Sequence, residues 1–262
     1  MFDTASATTS IPSVFLARAE GCGDPTPYLR PGETVLTLGA GAGKLCFRAS
    51  QAVGPTGWVI GIEPSDDLLA IARRHAREVA RRLGYANVEF RKASLRDLRL
   101  DREWLDRLLH EHPVGSAADL VGLQAAISAS CRVLPLVSDE SVDAVVSNCV
   151  PHLVEPMDMR RLAGEILRVL TPGGRAIITE IPRDEVLVEG DPERIAHREE
   201  VFRQRLAEAG FQDVTVLERP EAGRRSLPGI ELRSVTVAAY KRRRLGREQQ
   251  HDAAVLGASG SA

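Results

Sequence analysis

The chain has little cysteine: four residues in 262, at 22, 46, 131 and 149, with no Cys-x-x-Cys pair. That excludes a disulfide framework in a reducing compartment and leaves no zinc-ligand spacing, so no metal site is expected. An excess of charge of one sign is missing too. The formal net charge is -2, which offers no electrostatic footprint for nucleic acid or an anionic membrane. Apolar runs long enough to span a bilayer are absent. The start, "MFDTASATTSIPSV", lacks the basic head and apolar core of a signal peptide. Together these absences lead to the expectation of a cytoplasmic protein with a small-molecule substrate, and they leave its oligomeric state open.

The chain does contain a rhythm of strands and helices. With 44% hydrophobic and 27% charged residues, it is long enough to bury one α/β core with decorations. "ETVLTLG" (33–39) reads as a first strand and "KLCFRASQAVG" (44–54) as a helix that Gly54 stops. "GWVIGIEP" (57–64) is the next strand. "SDDLLAIARRHAREVARRLG" follows as a helix with Ser65 as N-cap, Asp66 and Asp67 at the positive end of its dipole, and Gly84 ending it. "NVEFRKA" and "VDAVVSNCV" are the third and fourth strands. "DMRRLAGEILRVLTPGG" (158–174) reads as a helix closed by Pro-Gly-Gly, "RAIITEI" (175–181) as a fifth strand and "REEVFRQRLAEAG" as a helix. "FQDVTVLER" and "LRSVTVAAYK" complete the series as an antiparallel pair. Such alternation predicts a doubly wound, mostly parallel sheet.

Three segments fall outside this rhythm. Residues 1–32 are expected to form an N-terminal lid or extension to a domain covering 33–240. Residues 101–138 read as an inserted helical pair between strands three and four that covers one edge of the site. Residues 241–262, beginning "KRRRLGREQQ", have no apolar periodicity and read as a disordered, solvated tail.

The stretch "LTLGAGAGKL" puts Gly39, Gly41 and Gly43 between the first strand and first helix, with Ala40 inside the loop. Glycine permits a tight turn and close approach of backbone to a ligand. A G-x-G-x-G alone fits a dinucleotide, an adenosyl cofactor or a plain tight turn. The carboxylate of Glu63, about twenty residues on at the end of the second strand and followed by Pro64, is placed to accept both hydroxyls of a ribose. A dinucleotide fingerprint would have a further glycine where Lys44 stands. The loop therefore suits an adenosyl amino acid better. Thr37 occupies the position where an acid commonly holds the cofactor's ammonium group. Ser94 and Leu95 follow the third strand, on the expected adenine edge.

These stretches, with "EGCGDPTP", "VGPTGWVIGIE", "SVDAVVSNCVPHLV", "EILRVLTPGGRAIITEI" and "GIELRSVTVAAYK", resemble the class I S-adenosylmethionine-dependent methyltransferases, and among them the arsenite methyltransferases. The resemblance implies a seven-stranded Rossmann-like sheet and S-adenosylmethionine as cofactor. It also implies thiolates that hold arsenic(III) while its lone pair attacks the sulfonium methyl. Cys22 and Cys149 fall on two of those thiolate positions. The third, expected after the fifth strand, is missing from "RDEVLVEGDPERIAHREEVF". The family's asparagine after the fourth strand is replaced by His152, and its first-strand acid by Thr37. Cys46 and Cys131 read as structural, each within an apolar helical pattern.

The segment "SNCVPHLV" should border the cofactor's reactive end, because ligands of such sheets sit outside the carboxyl ends of the strands. Asn148 can hydrogen-bond the methionine part. Pro151 stiffens the turn, and His152 is either a general base or a histidine bonded to a nearby carbonyl. Glu155 either orients His152 or faces solvent, and Cys149 is either a metalloid ligand or a small apolar wall. Three functions fit. One is methyl transfer to a small acceptor. Another uses S-adenosylmethionine itself as substrate, cyclised to a small cyclic amino acid with release of methylthioadenosine. The last is non-catalytic binding of the cofactor or a metalloid.

Overall fold

A computed structural model describes residues 23–148, 156–180, 192–219, 225–227, 230–232 and 234–243. Strands β1 (Thr34–Leu38), β2 (Trp58–Glu63), β3 (Val88–Lys92), β4 (Val142–Asn148) and β5 (Leu170–Glu180) alternate with helices α1 (Lys44–Val53), α2 (Asp66–Leu83) and α5 (Pro156–Val169). Helices α3 (Arg102–Glu111) and α4 (Ala117–Val133) stand between β3 and β4. The chain continues through α6 (Pro192–Glu208), β6 (Gln212–Glu218), a hairpin of β7 (Arg225–Leu227) and β8 (Ile230–Leu232), and β9 (Val235–Tyr240).

The main sheet has seven strands in the order β3-β2-β1-β4-β5-β9-β6. Strands β1 to β5 are parallel, and β9 runs antiparallel to both its neighbours. From β1 the chain adds strands outward to β3, then returns to lay β4 on the other side of β1. The C-terminal ends of β1 and β4 are therefore the switch point, where crossovers leave in opposite directions and a crevice opens.

Each face of the sheet has its own core, because successive strand residues point to opposite faces. Val35, Val59, Val146 and Ile177 pack with Phe47 of α1 and Leu69 and Val79 of α2. Leu36, Leu38, Ile62, Val145 and Ile178 pack with Leu162 and Ile166 of α5 and Leu206 of α6. Central parallel strands covered on both sides must be apolar throughout, hence the unbroken runs that made them legible. Helix α2 begins and ends as its sequence suggests: the Ser65 side chain accepts from Leu68 N, and Gly84 closes it at φ 80°.

Three differences from the sequence reading have local causes. Helix α5 stops at Val169, not at Gly174, because Leu170 already pairs with Val142 of β4. The β4–β5 register then slips before Ala144 meets Arg175. That bulge holds Pro172, which has no N–H to give a helix, and Gly173 at φ 84°. Secondly, the last antiparallel pair exists, but the β7–β8 hairpin separates its two strands in sequence. The hairpin is too short to show a period in sequence. Thirdly, α3 and α4 do form, yet neither buries a single residue. Val121 is 65% exposed and Val133 73%, so the apolar pattern of α4 does not report a core. Among the described residues no helix is long and apolar enough to cross a membrane.

Candidate functional site

The glycine loop leaves β1 at Leu38 with Gly39, Gly41 and Gly43 all at positive φ (68°, 54° and 97°). Ala40 N donates to Ile62 O at 2.9 Å, tying the loop to β2, and Gly43 N donates to Ala40 O at 2.9 Å, closing the turn. The glycines differ in what surrounds them. A Cβ on Gly43 would lie 2.7 Å from the Phe47 ring and 3.0 Å from Phe90, so this position is closed by packing. A Cβ on Gly41 would meet nothing within 4 Å, so the loop is open there.

Glu63 is not a solvated strand-end acid. It is 6% exposed, and its two oxygens clasp both loops of the crevice. Oε2 accepts from Gly41 N at 2.8 Å and Oε1 from Ser65 N at 3.0 Å. A carboxylate oxygen has two lone pairs, so each keeps one acceptor position beyond these bonds. Pro64 lies between Glu63 and Ser65 in the chain, with φ fixed and no N–H to compete for the carboxylate.

Polar atoms without a partner lie near the C-terminal ends of the adjoining strands β1 and β4. Thr37 and Ser147 are 0% and 1% exposed, and Thr37 Oγ1, Ser147 Oγ and Asn148 Oδ1 have no well-formed hydrogen bond. The β1–β4 register pairs Thr37 with Val146 and Leu38 with Ser147, so at the switch point Thr37 and Asn148 share the α1 face of the sheet and Ser147 lies on the α5 face. Orphaned buried polar atoms are uncommon and each costs about 1–3 kcal/mol. Beneath the loop the Cys46 thiol is fully buried; burial pushes it up to about 12, with the Thr37 hydroxyl offsetting part of the rise. Cys46 is thus the structural residue its sequence suggests. Cys131 is only half-buried, on a helix without buried residues, so packing gives its structural reading little support.

Residues 23–33 form a strap over the α1 face of β5 and β9. At its lower end the Arg175 guanidinium, 7% exposed, donates to both oxygens of Glu33 at 2.7 and 3.0 Å and to Tyr28 O at 2.7 Å. At its upper end Asp24 pairs with Arg48 of α1. Gly23 lies so close to β5 that a Cβ there would be 3.3 Å from Thr179 Cγ2. Asn148 Nδ2 donates to Gly23 O at 2.8 Å. One N–H of that amide is therefore engaged with the chain itself, and the second N–H and Oδ1 remain for a ligand. Cys22, Cys149, His152 and Glu155 lie outside the described residues. In the chain, Cys22 directly precedes Gly23 and Cys149 directly follows Asn148.

Beyond β3, Ser94 and Leu95 begin a tight turn in which Asp97 N donates to Ser94 O at 3.1 Å and Arg96 N to Ser94 Oγ at 3.3 Å. The site features missed in sequence are ones that spacing cannot show: the Asp24–Arg48 pair, the Gly23–Asn148 bond, and Glu165 of α5 bonded to Leu98 N at 2.8 Å. Among the described residues no three His, Cys, Asp or Glu side chains cluster to hold a metal.

Comparison with known proteins accords with this geometry. One methyltransferase-domain family model matches residues 29–134, and a second matches 116–178. An arsenite methyltransferase of Halobacterium salinarum is 33% identical over 216 residues, covering 77% of this chain and 44% of that protein. One of Aquipseudomonas alcaligenes is 32% identical over 173 residues, covering 66% of this chain and 40% of that protein. The chain thus spans less than half the length of these relatives. An arsenic(III) S-adenosylmethionine methyltransferase from Chlamydomonas reinhardtii shares the fold, with a TM-score of 0.57 at 24% identity over 92% of this chain and 74% of that one. By sheet order, glycine loop, strand-end carboxylate and these similarities, the chain belongs to the class I S-adenosylmethionine-dependent methyltransferases, in their arsenite methyltransferase-like branch.

Proposed function

We propose that the chain transfers a methyl group from S-adenosylmethionine to a small acceptor, with Cys22 and Cys149 holding a trivalent metalloid as a dithiolate. The observation that carries the cofactor reading is the clasp of Gly41 N and Ser65 N by Glu63. It leaves two preoriented acceptor positions, the number that the two ribose hydroxyls require. Gly39, Ala40, Gly41 and Gly43 offer close backbone, and the empty space at Gly41 is room for a ligand. Pro64, with its φ fixed, stiffens the turn in which Glu63 Oε1 reaches Ser65 N. Asn148 Oδ1, without a partner in the chain, and the lone pairs of the Thr37 hydroxyl beside Cys46 are suited to the cofactor's ammonium group. Ser94 and Leu95 border its adenine.

Bound there, the cofactor supplies an electrophilic methyl on a sulfonium. The chain aligns the acceptor with it at near-attack distance, excludes water and manages protons. Support for the acceptor site comes from the Gly23–Asn148 bond, since the residues bonded are the chain neighbours of the two cysteines. With two thiolates in place of three, the acceptor side is altered from that of the family, and His152 is the base available for an acceptor that carries a proton.

The test is mass spectrometry of the purified protein with S-adenosylmethionine, with and without arsenite and a small thiol. S-adenosylhomocysteine that depends on arsenite, and is lost in Cys22→Ser and Cys149→Ser while the cofactor still binds, is the expected result. Arsenite-independent methylthioadenosine would overturn it and move the chemistry to the other side of sulfur, the intramolecular displacement for which Thr37, in place of the acid, leaves the ammonium group less restrained.

A further inference from the structure

Helix α5 carries an ion pair that the proposed reaction does not use and that reaches the segment following the Ser94–Asp97 turn. Arg168 holds Glu165 in two bonds, Nε to Oε1 at 2.7 Å and Nη2 to Oε2 at 2.8 Å. The pair is largely buried, at 10% and 15% exposure. Glu165 Oε2 accepts from Leu98 N at 2.8 Å, across 67 residues of chain. Arg168 Nη1 donates to Val137 O at 2.8 Å and to Asp139 Oδ1 at 2.7 Å.

Leu98 and Val137 are the two sides of the neck of the helical insertion. Val137 N donates to Leu98 O at 2.9 Å and Leu136 N to Arg99 O at 2.8 Å. One ion pair on α5 therefore fastens both the outgoing and the returning chain. The turn of Ser94–Asp97 ends where that neck begins, and Asp97 Oδ1 accepts from Arg99 N at 2.9 Å and Leu100 N at 3.3 Å. The turn is thus pinned at β3 on one side and at Glu165 on the other. Leu98 itself is 0% exposed, so its amide has no water to fall back on if Glu165 is removed.

We infer that Glu165, held by Arg168, is a positioning residue: it sets the Ser94–Asp97 turn at the height from which the turn discriminates the cofactor's base. The inference rests on the cofactor reading above and adds to it a determinant of base selectivity outside the glycine loop and outside contact with the ligand.

The experiment measures affinity for S-adenosylhomocysteine and S-inosylhomocysteine, which differ in the edge of the base, by calorimetry. Wild type is expected to prefer the adenosyl ligand by about tenfold or more. In Glu165→Ala the preference falls to within about threefold, the inosyl affinity changing little, as hydrogen-bond discrimination requires fixed partners. Glu165→Gln keeps an oxygen for Leu98 N and keeps the preference. A Glu165→Ala protein that loses both ligands equally, or neither, makes the residue a fastener only and overturns the inference. If that variant does not fold, hydrogen exchange at the Leu98 amide of wild type decides: slowing by the adenosyl ligand beyond that by the inosyl ligand supports the inference, and equal exchange overturns it. A wild-type chain that binds neither nucleoside overturns the cofactor reading, and this inference with it.

Discussion

A single carboxylate does two jobs at the residue scale. Glu63 holds the glycine loop to the β2–α2 turn and keeps acceptor positions free. Both of its oxygens face N–H groups, so Glu63→Gln must turn an NH2 toward a donor. We expect cofactor affinity at least about tenfold weaker in Glu63→Gln and about a hundredfold weaker in Glu63→Ala by calorimetry, since hydrogen bonds to a charged group contribute about 1.5–3 kcal/mol each. The two loop glycines separate the same way. Gly43→Ala should cost about 1–3 kcal/mol of unfolding free energy, through its positive φ and the Phe47 ring. Gly41→Ala has only the backbone penalty of about 1 kcal/mol, yet its methyl fills the open space and should abolish binding. Cys46 is raised from 9.0 to about 12, so the folded chain retains its thiol proton where the unfolded chain loses it. That stabilisation is present below pH 9 and is lost as pH rises from about 9 to 12, visible as a falling urea midpoint over that window. Iodoacetamide should leave Cys46 unmodified until the protein unfolds.

At the scale of elements, the 23–33 strap depends on one buried ion pair. Removing one partner of such a pair leaves the other charge uncompensated, at about 3–5 kcal/mol. Arg175→Met should lower stability by about that amount in urea titration, with Glu33 and Tyr28 O losing their donor. Replacing Glu33 by Gln in the same chain should recover part of the loss; an additive double variant would show that the pair is not coupled. Elements also mark where sequence patterning misleads. Helix α5 ends at Val169 because β4 offers Leu170 a partner, and no local residue announces that. The apolar run of α4 resembles a core helix, but it reaches solvent because the insertion stands off from the sheet, joined by ion pairs such as Arg73–Glu103 and Lys92–Asp106.

Across the whole molecule, the crevice is held by the chain's own contacts: both loops are clasped and the strap is pinned at both ends. A ligand that binds only the folded state stabilises by mass action, about 2.7 kcal/mol at a hundredfold excess over its Kd. Thermal unfolding with saturating S-adenosylmethionine should therefore shift upward by several degrees, and the shift should vanish in Glu63→Ala. A shift that survives in that variant would put the ligand elsewhere.

The sequence alone determined the parallel sheet, the glycine loop and the position of Glu63. These depend on short-range rules: strands buried on both faces must be apolar throughout, and a strand-to-helix turn beside a ligand needs glycine at positive φ. It also determined the caps of α2, which are built from a few neighbouring residues. Only the tertiary structure decided that β9 slips between β5 and β6, that α4 buries nothing, and that Asn148 gives its amide nitrogen to Gly23. The pairings of Glu165 with Leu98 and of Glu33 with Arg175 were equally beyond reach. Each joins residues distant in the chain, and such partners are chosen by how packed elements bring their surfaces together, which carries no local signature.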